Sequence, residues 1–222
     1  MTTVVQLDQV TKAFRATPVV TDVSITVTAG ESLAITGPNG SGKSVLLRMI
    51  TKLLRPDSGT VTIDPRYLSR SRTFPEEFGI IIDRPGYIAT RTGLDNLLEL
   101  AAIRKRVGRS KVTAAMERVG LDPSARQRVG QYSLGMKQKL ALAQSFMEHQ
   151  QVLVLDEPFN ALDQESVTSI RTLLAGLHHE GRTIIFTSHN PDDVGYLATR
   201  VVTINNHHVT SSAIQDSGLR RE

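Results

Sequence analysis

Between residues 37 and 44 the chain reads GPNGSGKS, with glycines at 37, 40 and 42 and a lysine and a serine at its end. Backbone free of Cβ atoms can curl so that several N–H groups point inward, and a helix start just beyond adds partial positive charge. The two together form a nest for a polyphosphate. In this G-x-x-x-x-G-K-[ST] arrangement Gly37, Pro38, Asn39, Gly40, Ser41, Gly42, Lys43, Ser44 and Val45 are the candidate phosphate-binding residues. Lys43 would reach the β and γ phosphates, and the Ser44 hydroxyl would coordinate Mg²⁺. QVLVLDE, 151–157, then ends an apolar run in two acids. Alone these read as solvated carboxylates; beside a phosphate nest, Asp156 can hold the metal through water. Side chains diverge at a strand end, so Glu157 can face an attacking water as general base. TIIFTSHN leaves His189 just past another apolar run. Finally, YSLGMKQKL, 132–140, opens a basic segment of helical period with Ser133 and Gly135 around Leu134, a second anion-seeking helix start in a chain with one phosphate nest.

The elements that must carry these groups follow from periodicity. VVQLDQVT, VVTDVSITVT and ESLAITG alternate apolar and polar positions and predict strands, and a helix is expected from Gly42 to about Leu54, before Pro56. TVTID and FGIIID predict further strands. The middle changes character: 92–106, 111–119 and 133–147 have helical spacing, with Thr92 and Asp95 placed as a capping box and Val112, Ala115, Met116 and Val119 on one apolar stripe. After it, QVLVLD, a helix over about 164–178, TIIFTSH, a short helix after Pro191 and RVVTIN restore the strand–helix alternation. This order predicts a mostly parallel α/β core sheet with an antiparallel β edge at the front and a helical insertion in the middle.

Composition bounds the alternatives. At 222 residues and 40% apolar content the chain suits one packed domain. No basic-then-apolar leader opens it, and no run approaches the roughly 18 apolar residues that span a bilayer. Any action at a membrane is expected through a docked position. The absence of cysteine leaves no disulfide or thiolate metal site. The net charge of +4 is mild, and the cluster Arg104, Lys105, Arg106, Arg109, Lys111, Arg126 and Arg128 reads as a solvated helix face in preference to a nucleic-acid or lipid surface.

The order GPNGSGKS, YSLGM, LVLDEP, ALD and SH resembles that of the ATP-binding cassette (ABC) ATPases over nearly the whole length. The resemblance implies the P-loop NTPase fold of those ATPases, with an antiparallel β subdomain and a helical subdomain at about 84–147 inside a single nucleotide-binding domain, 1–222. It implies ATP and Mg²⁺ as ligands, and hydrolysis as the activity. Lys43, Glu157 and His189 would be catalytic, His189 as the switch histidine on the γ-phosphate. Asp156 would be the metal-binding aspartate, and Ala161, Leu162 and Asp163 the loop that follows it. Phe14 would stack on adenine. Ser133 and Gly135 would meet phosphate across a head-to-tail dimer with a second cassette, identical or paralogous, so that each signature completes the other chain's site. An integral membrane permease is the other implied partner, placing the protein on the cytoplasmic face of the cell membrane. Nucleic acid is not expected.

The sequence departs from the family at two places. Asp83, in IIIDRPG, stands where these ATPases carry a glutamine that touches the metal; aspartate offers a shorter arm, acceptors only and a full charge. YSLGM has Leu134 and Met136 where glycine and glutamine are commonest. Both features resemble the branch containing bacitracin, lantibiotic and drug exporters, which implies export of a peptide antibiotic or drug-like compound. A soluble ABC ATPase uncoupled from transport is the alternative. It is disfavoured by the single cassette and by the short interval between phosphate loop and signature, whereas Glu157 and His189 disfavour a non-hydrolysing regulator.

Overall fold

A computed structural model describes residues 2–68, 72–83 and 86–213. Strands β1 (Thr3–Phe14) and β2 (Thr17–Thr28) pair antiparallel, and β4 (Ser58–Ile63) joins the other edge of β1 to form a three-stranded sheet. The larger sheet contains β3 (Ser32–Thr36), β5 (Phe78–Ile81), β6 (Val152–Leu155), β7 (Thr183–Thr187), β8 (Arg200–Asn205) and β9 (His208–Ala213) in the order β5-β6-β7-β3-β8-β9. All its pairs are parallel except the terminal β8–β9. The expected mixed architecture is therefore present.

Side chains on a strand alternate between faces, and that period sorts this sheet into two cores. Leu33, Ile35, Val152, Val154, Ile185 and Val202 pack with the antiparallel sheet and with Leu46, Leu47, Met49 and Ile50 of α1 (Lys43–Ile50). Ala34, Leu153, Leu155, Ile184 and Phe186 point the other way. They meet the helices α2 (Gly93–Arg104), α3 (Arg109–Arg118), α4 (Leu134–Phe146), α5 (Gln164–His179) and α6 (Pro191–Leu197). Burial on both faces explains why QVLVLD and TIIFTSH are continuously apolar.

Several boundaries differ from those the spacing predicts. Helix α1 stops at Ile50, not Leu54: the Thr51 hydroxyl donates back to Leu47 O, and Lys52 adopts φ 57. Helix α2 ends at Arg104 because Lys105 turns left-handed at φ 54. Thr92 does cap α2, accepting the Asp95 N–H at 3.1 Å, but the Asp95 carboxylate returns to the Thr92 hydroxyl at 2.7 Å and not to its N–H. Strand β9 was not foreseen. Its two-residue turn has φ 46 at Asn206 and φ 68 at His207, a hairpin geometry that usually announces itself with glycine.

Candidate active site

Three strand ends build the site. At the end of β3 the chain enters the glycine loop, where the backbone passes too close to its neighbours for any side chain. A Cβ on Gly37 would lie 2.4 Å from Ile204 O, and one on Gly42, at φ 101, would lie 2.8 Å from Val19 Cγ1. The loop closes on Lys43, whose Nζ donates to Gly37 O at 2.9 Å and Pro38 O at 3.1 Å. No acidic side chain occupies the first turn of α1, and Gly42 supplies no capping side chain, so the N-terminal amides of this helix stay available to an anion. The Ser41 hydroxyl is buried with no hydrogen-bond partner among the described residues.

The second strand end is that of β6. Asp156 and Glu157 emerge beside the loop, and Glu157 takes φ 47, an uncommon value for a residue with a side chain. The third is that of β7, where Thr187 Oγ1 accepts the Glu157 N–H at 2.8 Å and donates to Asp156 Oδ1 at 2.6 Å. Two residues on, His189 Nδ1 stands 3.0 Å from Glu157 Oε2. The Gln138 amide of α4 donates to Pro158 O at 3.1 Å.

These elements enclose a cleft of about 410 Å³ whose walls include Phe14, Asn39, Gly40, Gly42, Lys43, Ser44, Val45, Asp156 and Glu157. Phe14 is 46% exposed at its rim, with Lys12 Nζ 5.4 Å from the ring centroid, so it is not an ordinary core phenylalanine. A second hollow of about 520 Å³ opens beyond Gly37 and is bordered by Thr36, Ser188, His189 and Asn190.

The cleft fits a nucleoside polyphosphate. It offers a cation, glycine-enforced backbone approach, free helix amides and a half-exposed aromatic ring. It also fits Mg²⁺: Ser44 and Asp156 are hard oxygen donors, and no group of three or more His, Cys, Asp or Glu able to hold a metal occurs among the described residues. Such a sparse donor set suits an ion that takes most ligands from phosphate and water.

Other candidates lie apart from the cleft. Ser133 caps α4, accepting the Met136 N–H at 3.1 Å, and Leu134 is 68% exposed beside it. Neither Ser133 nor Gly135 lines the cleft. Gly135 instead abuts the loop after β6, where a Cβ would sit 2.8 Å from Ala161 O. Asp163 caps α5; the Ser166 N–H it accepts holds its carboxyl below the usual range. Asp83, at φ 63, pairs through Oδ2 with Arg48 Nη2 of α1 at 2.5 Å and is also absent from the cleft wall. The adjoining Arg84 and Pro85 lie outside the described residues.

The basic cluster is partly neutralised. Arg104 meets Glu148 at 3.0 Å and Arg106 meets Glu77 at 2.5 Å, while Lys105, Arg109 and Lys111 remain exposed. Sequence reasoning passed over Thr187, Gln138 and Arg48. Of these, Gln138 alone carried a usable signal, a polar residue on the inner side of a capped helix; a threonine at a strand end is ordinary by itself.

The sequence pattern of the family described as "ABC transporter" matches residues 20–160. The chain is 35% identical over 208 residues to the bacitracin transport ATP-binding protein BcrA of Enterococcus faecalis, covering 93% of this chain and 68% of that protein. It is 34% identical over 209 residues to the sulfate/thiosulfate import ATP-binding protein CysA of Synechococcus elongatus, covering 92% and 61%. Among solved structures it resembles a dimeric post-hydrolysis state of the ATP-binding cassette MJ0796 bound to ADP and Pi. That match has a TM-score of 0.84 and 25% identity, and covers 95% of this chain and 99% of that one.

Proposed function

The chain belongs to the ABC transporter family, and from that premise we propose that it is the ATP-hydrolysing subunit driving a separate membrane permease, which exports a peptide antibiotic or drug-like compound. The observation that carries the hydrolytic part is the Glu157 carboxylate, held 3.0 Å from His189 Nδ1 at the wall of the cleft that Lys43 and Ser44 also line.

In this reading a single nucleotide-binding domain spans 1–222, with its helical part at about 84–147. Phe14 stacks on adenine. Lys43 exchanges the Gly37 and Pro38 carbonyls for the β and γ phosphates, and the loop amides of 37–45 cradle them. Ser44 and Asp156 would hold Mg²⁺, while Asp83, paired with Arg48 through Oδ2 and absent from the cleft wall, would have to move to join them. Bound there, Mg²⁺ would supply positive charge to offset the charge that develops on the transferring phosphoryl group. Glu157 accepts the proton of the attacking water, while His189 fixes the orientation of the carboxylate and contacts the γ-phosphate.

Ser133 and Gly135 do not line their own chain's cleft, which supports a head-to-tail pair in which each signature closes the partner's site. The permease would dock where Tyr87 and Ile88 are exposed, beside Leu97, Leu100 and Lys137 of the helical part. No described helix is long and apolar enough to cross a membrane; a peripheral place on the cytoplasmic face is supported by membership of the ABC transporter family. Overall identity does not favour a direction, since an import protein is nearly as similar as a bacitracin transport protein. The YSLGM signature and the acidic Asp83 support export.

The test begins with Glu157→Gln, which should accumulate a dimer on size-exclusion chromatography with ATP and Mg²⁺ while wild type turns ATP over. Wild-type turnover without a trapped dimer would rule out the paired mechanism, and unchanged turnover in Lys43→Ala would rule out the site. Vesicles carrying the chain with its permease, assayed in both orientations for bacitracin and for sulfate, decide direction and substrate class.

A further inference from the structure

Thr187 closes strand β7, whose three central residues are apolar, and is fully buried. Valine or isoleucine would satisfy that strand position as well as threonine does, because all three are β-branched and fit a pleated surface. Its hydroxyl, however, serves two neighbours at once, accepting the Glu157 N–H at 2.8 Å and donating to Asp156 Oδ1 at 2.6 Å. A hydroxyl has one proton, so the donation to Asp156 leaves a lone pair as the only partner for the Glu157 amide. Both acids of the site are thereby tied to one atom on a neighbouring strand.

Glu157 needs such a tie. Its φ of 47 lies off every regular element, and it precedes Pro158, which has no N–H and disfavours a right-handed turn. The other end of the same segment is fixed from α4, where Gln138 Nε2 reaches Pro158 O at 3.1 Å. With the amide of Glu157 and the carbonyl of Pro158 both held, the Glu157 side chain is aimed at His189. The bond to Oδ1 leaves Asp156 its second carboxylate oxygen.

We propose that Thr187 is a positioning residue for hydrolysis: its hydroxyl locks the metal-holding Asp156 to the water-orienting Glu157, so the two carboxylates keep a fixed relation. This rests on the ATPase reading above. Thr187 acts through its neighbours and does not touch the nucleotide. Removing it should therefore affect the chemical step and metal use while leaving nucleotide affinity at saturating metal largely unchanged.

Thr187→Val deletes the hydroxyl and keeps the branch. Losses of this kind of supporting bond typically run to tenfold or more, so kcat should fall about tenfold with KM for ATP within about twofold of wild type. The Mg²⁺ concentration that half-saturates binding of a fluorescent ATP analogue should rise, and Thr187→Ser should regain most of the lost kcat. Melting curves run in parallel separate misfolding from misplacement. If Thr187→Val is unfolded at the assay temperature, Thr187→Cys replaces it with a thiol that bonds weakly, and the same results are expected.

A kcat within about twofold of wild type in the variant used, or a loss that serine does not recover, overturns the proposal. Turnover that survives Lys43→Ala would sink the ATPase reading itself. The Mg²⁺ titration of nucleotide binding needs no turnover and then decides the role of Thr187 by itself.

Discussion

Phe14 ends β1 with nearly half its ring in solvent, at the rim of the cleft and with only the Lys12 ammonium over it. An aromatic face left open beside a phosphate loop is a surface on which a purine ring can lie, and such stacking is worth on the order of 1 kcal/mol beyond area burial. Phe14→Ala should therefore weaken ATP binding roughly fivefold, raise KM in proportion and leave kcat unchanged, because the adenine contact is the same in ground and transition states. Equilibrium binding of ATP and of a ribose triphosphate lacking the base makes the check. Equal losses for both ligands would remove the stacking role. At this scale the legible residues were those whose type is demanded by backbone or charge: Gly37 and Gly42 stand where a Cβ would clash, and Lys43 supplies the cation beside them. Thr187 was not legible, because its partners lie just past the end of β6, 30 and 31 positions away, and a threonine in a strand is ordinary by itself.

Helix α1 links the phosphate loop to the segment that follows β5. Lys43 at its start lines the cleft, and Arg48 in its last turn holds Asp83. Asp83 thus has two competing roles, as the partner of a guanidinium or as a ligand toward Mg²⁺, and the pair decides which is open. Both side chains are substantially exposed, so the bond is worth no more than about 1 kcal/mol of stability. Arg48→Ala should leave the melting temperature nearly unchanged. It should lower the Mg²⁺ concentration needed for half-maximal turnover, and Asp83→Ala in the same chain should cancel that gain. A double-mutant cycle with no coupling in Mg²⁺ dependence would confine the pair to a surface contact. Element order and type were legible because period 2 and period 3.6 alternate cleanly along the chain, and continuous apolar runs marked the strands buried on both faces. Element ends were less so: α1 stops where a threonine bonds back to its own helix, and β9 turns without a glycine. Both depend on local geometry that composition does not encode.

At the scale of the molecule, a single chain presents a cleft and, elsewhere, a capped helix start that does not reach it. Ser133 uses its hydroxyl to cap α4, and Gly135 lies so close to Ala161 that only glycine fits, leaving the first turn of the helix accessible beside the exposed Leu134. Joined by a two-fold axis, two such chains would each supply what the other lacks. Ser133→Trp should abolish turnover while sparing nucleotide binding by the isolated chain, and Lys43→Ala should abolish turnover for the opposite reason. Mixing the two inactive proteins then separates the possibilities. If sites are shared, a mixed dimer pairs the intact loop of the Ser133 variant with the intact signature of the Lys43 variant, and an equal mixture regains up to about a quarter of wild-type activity by random pairing. If each chain is catalytically complete, both variants carry a broken site and the mixture stays inactive at every ratio. Recovery should also rise with total protein concentration until pairing saturates, since the active species has to be assembled from two chains, and no recovery at any concentration would place the second anion-seeking helix within the chain that carries it.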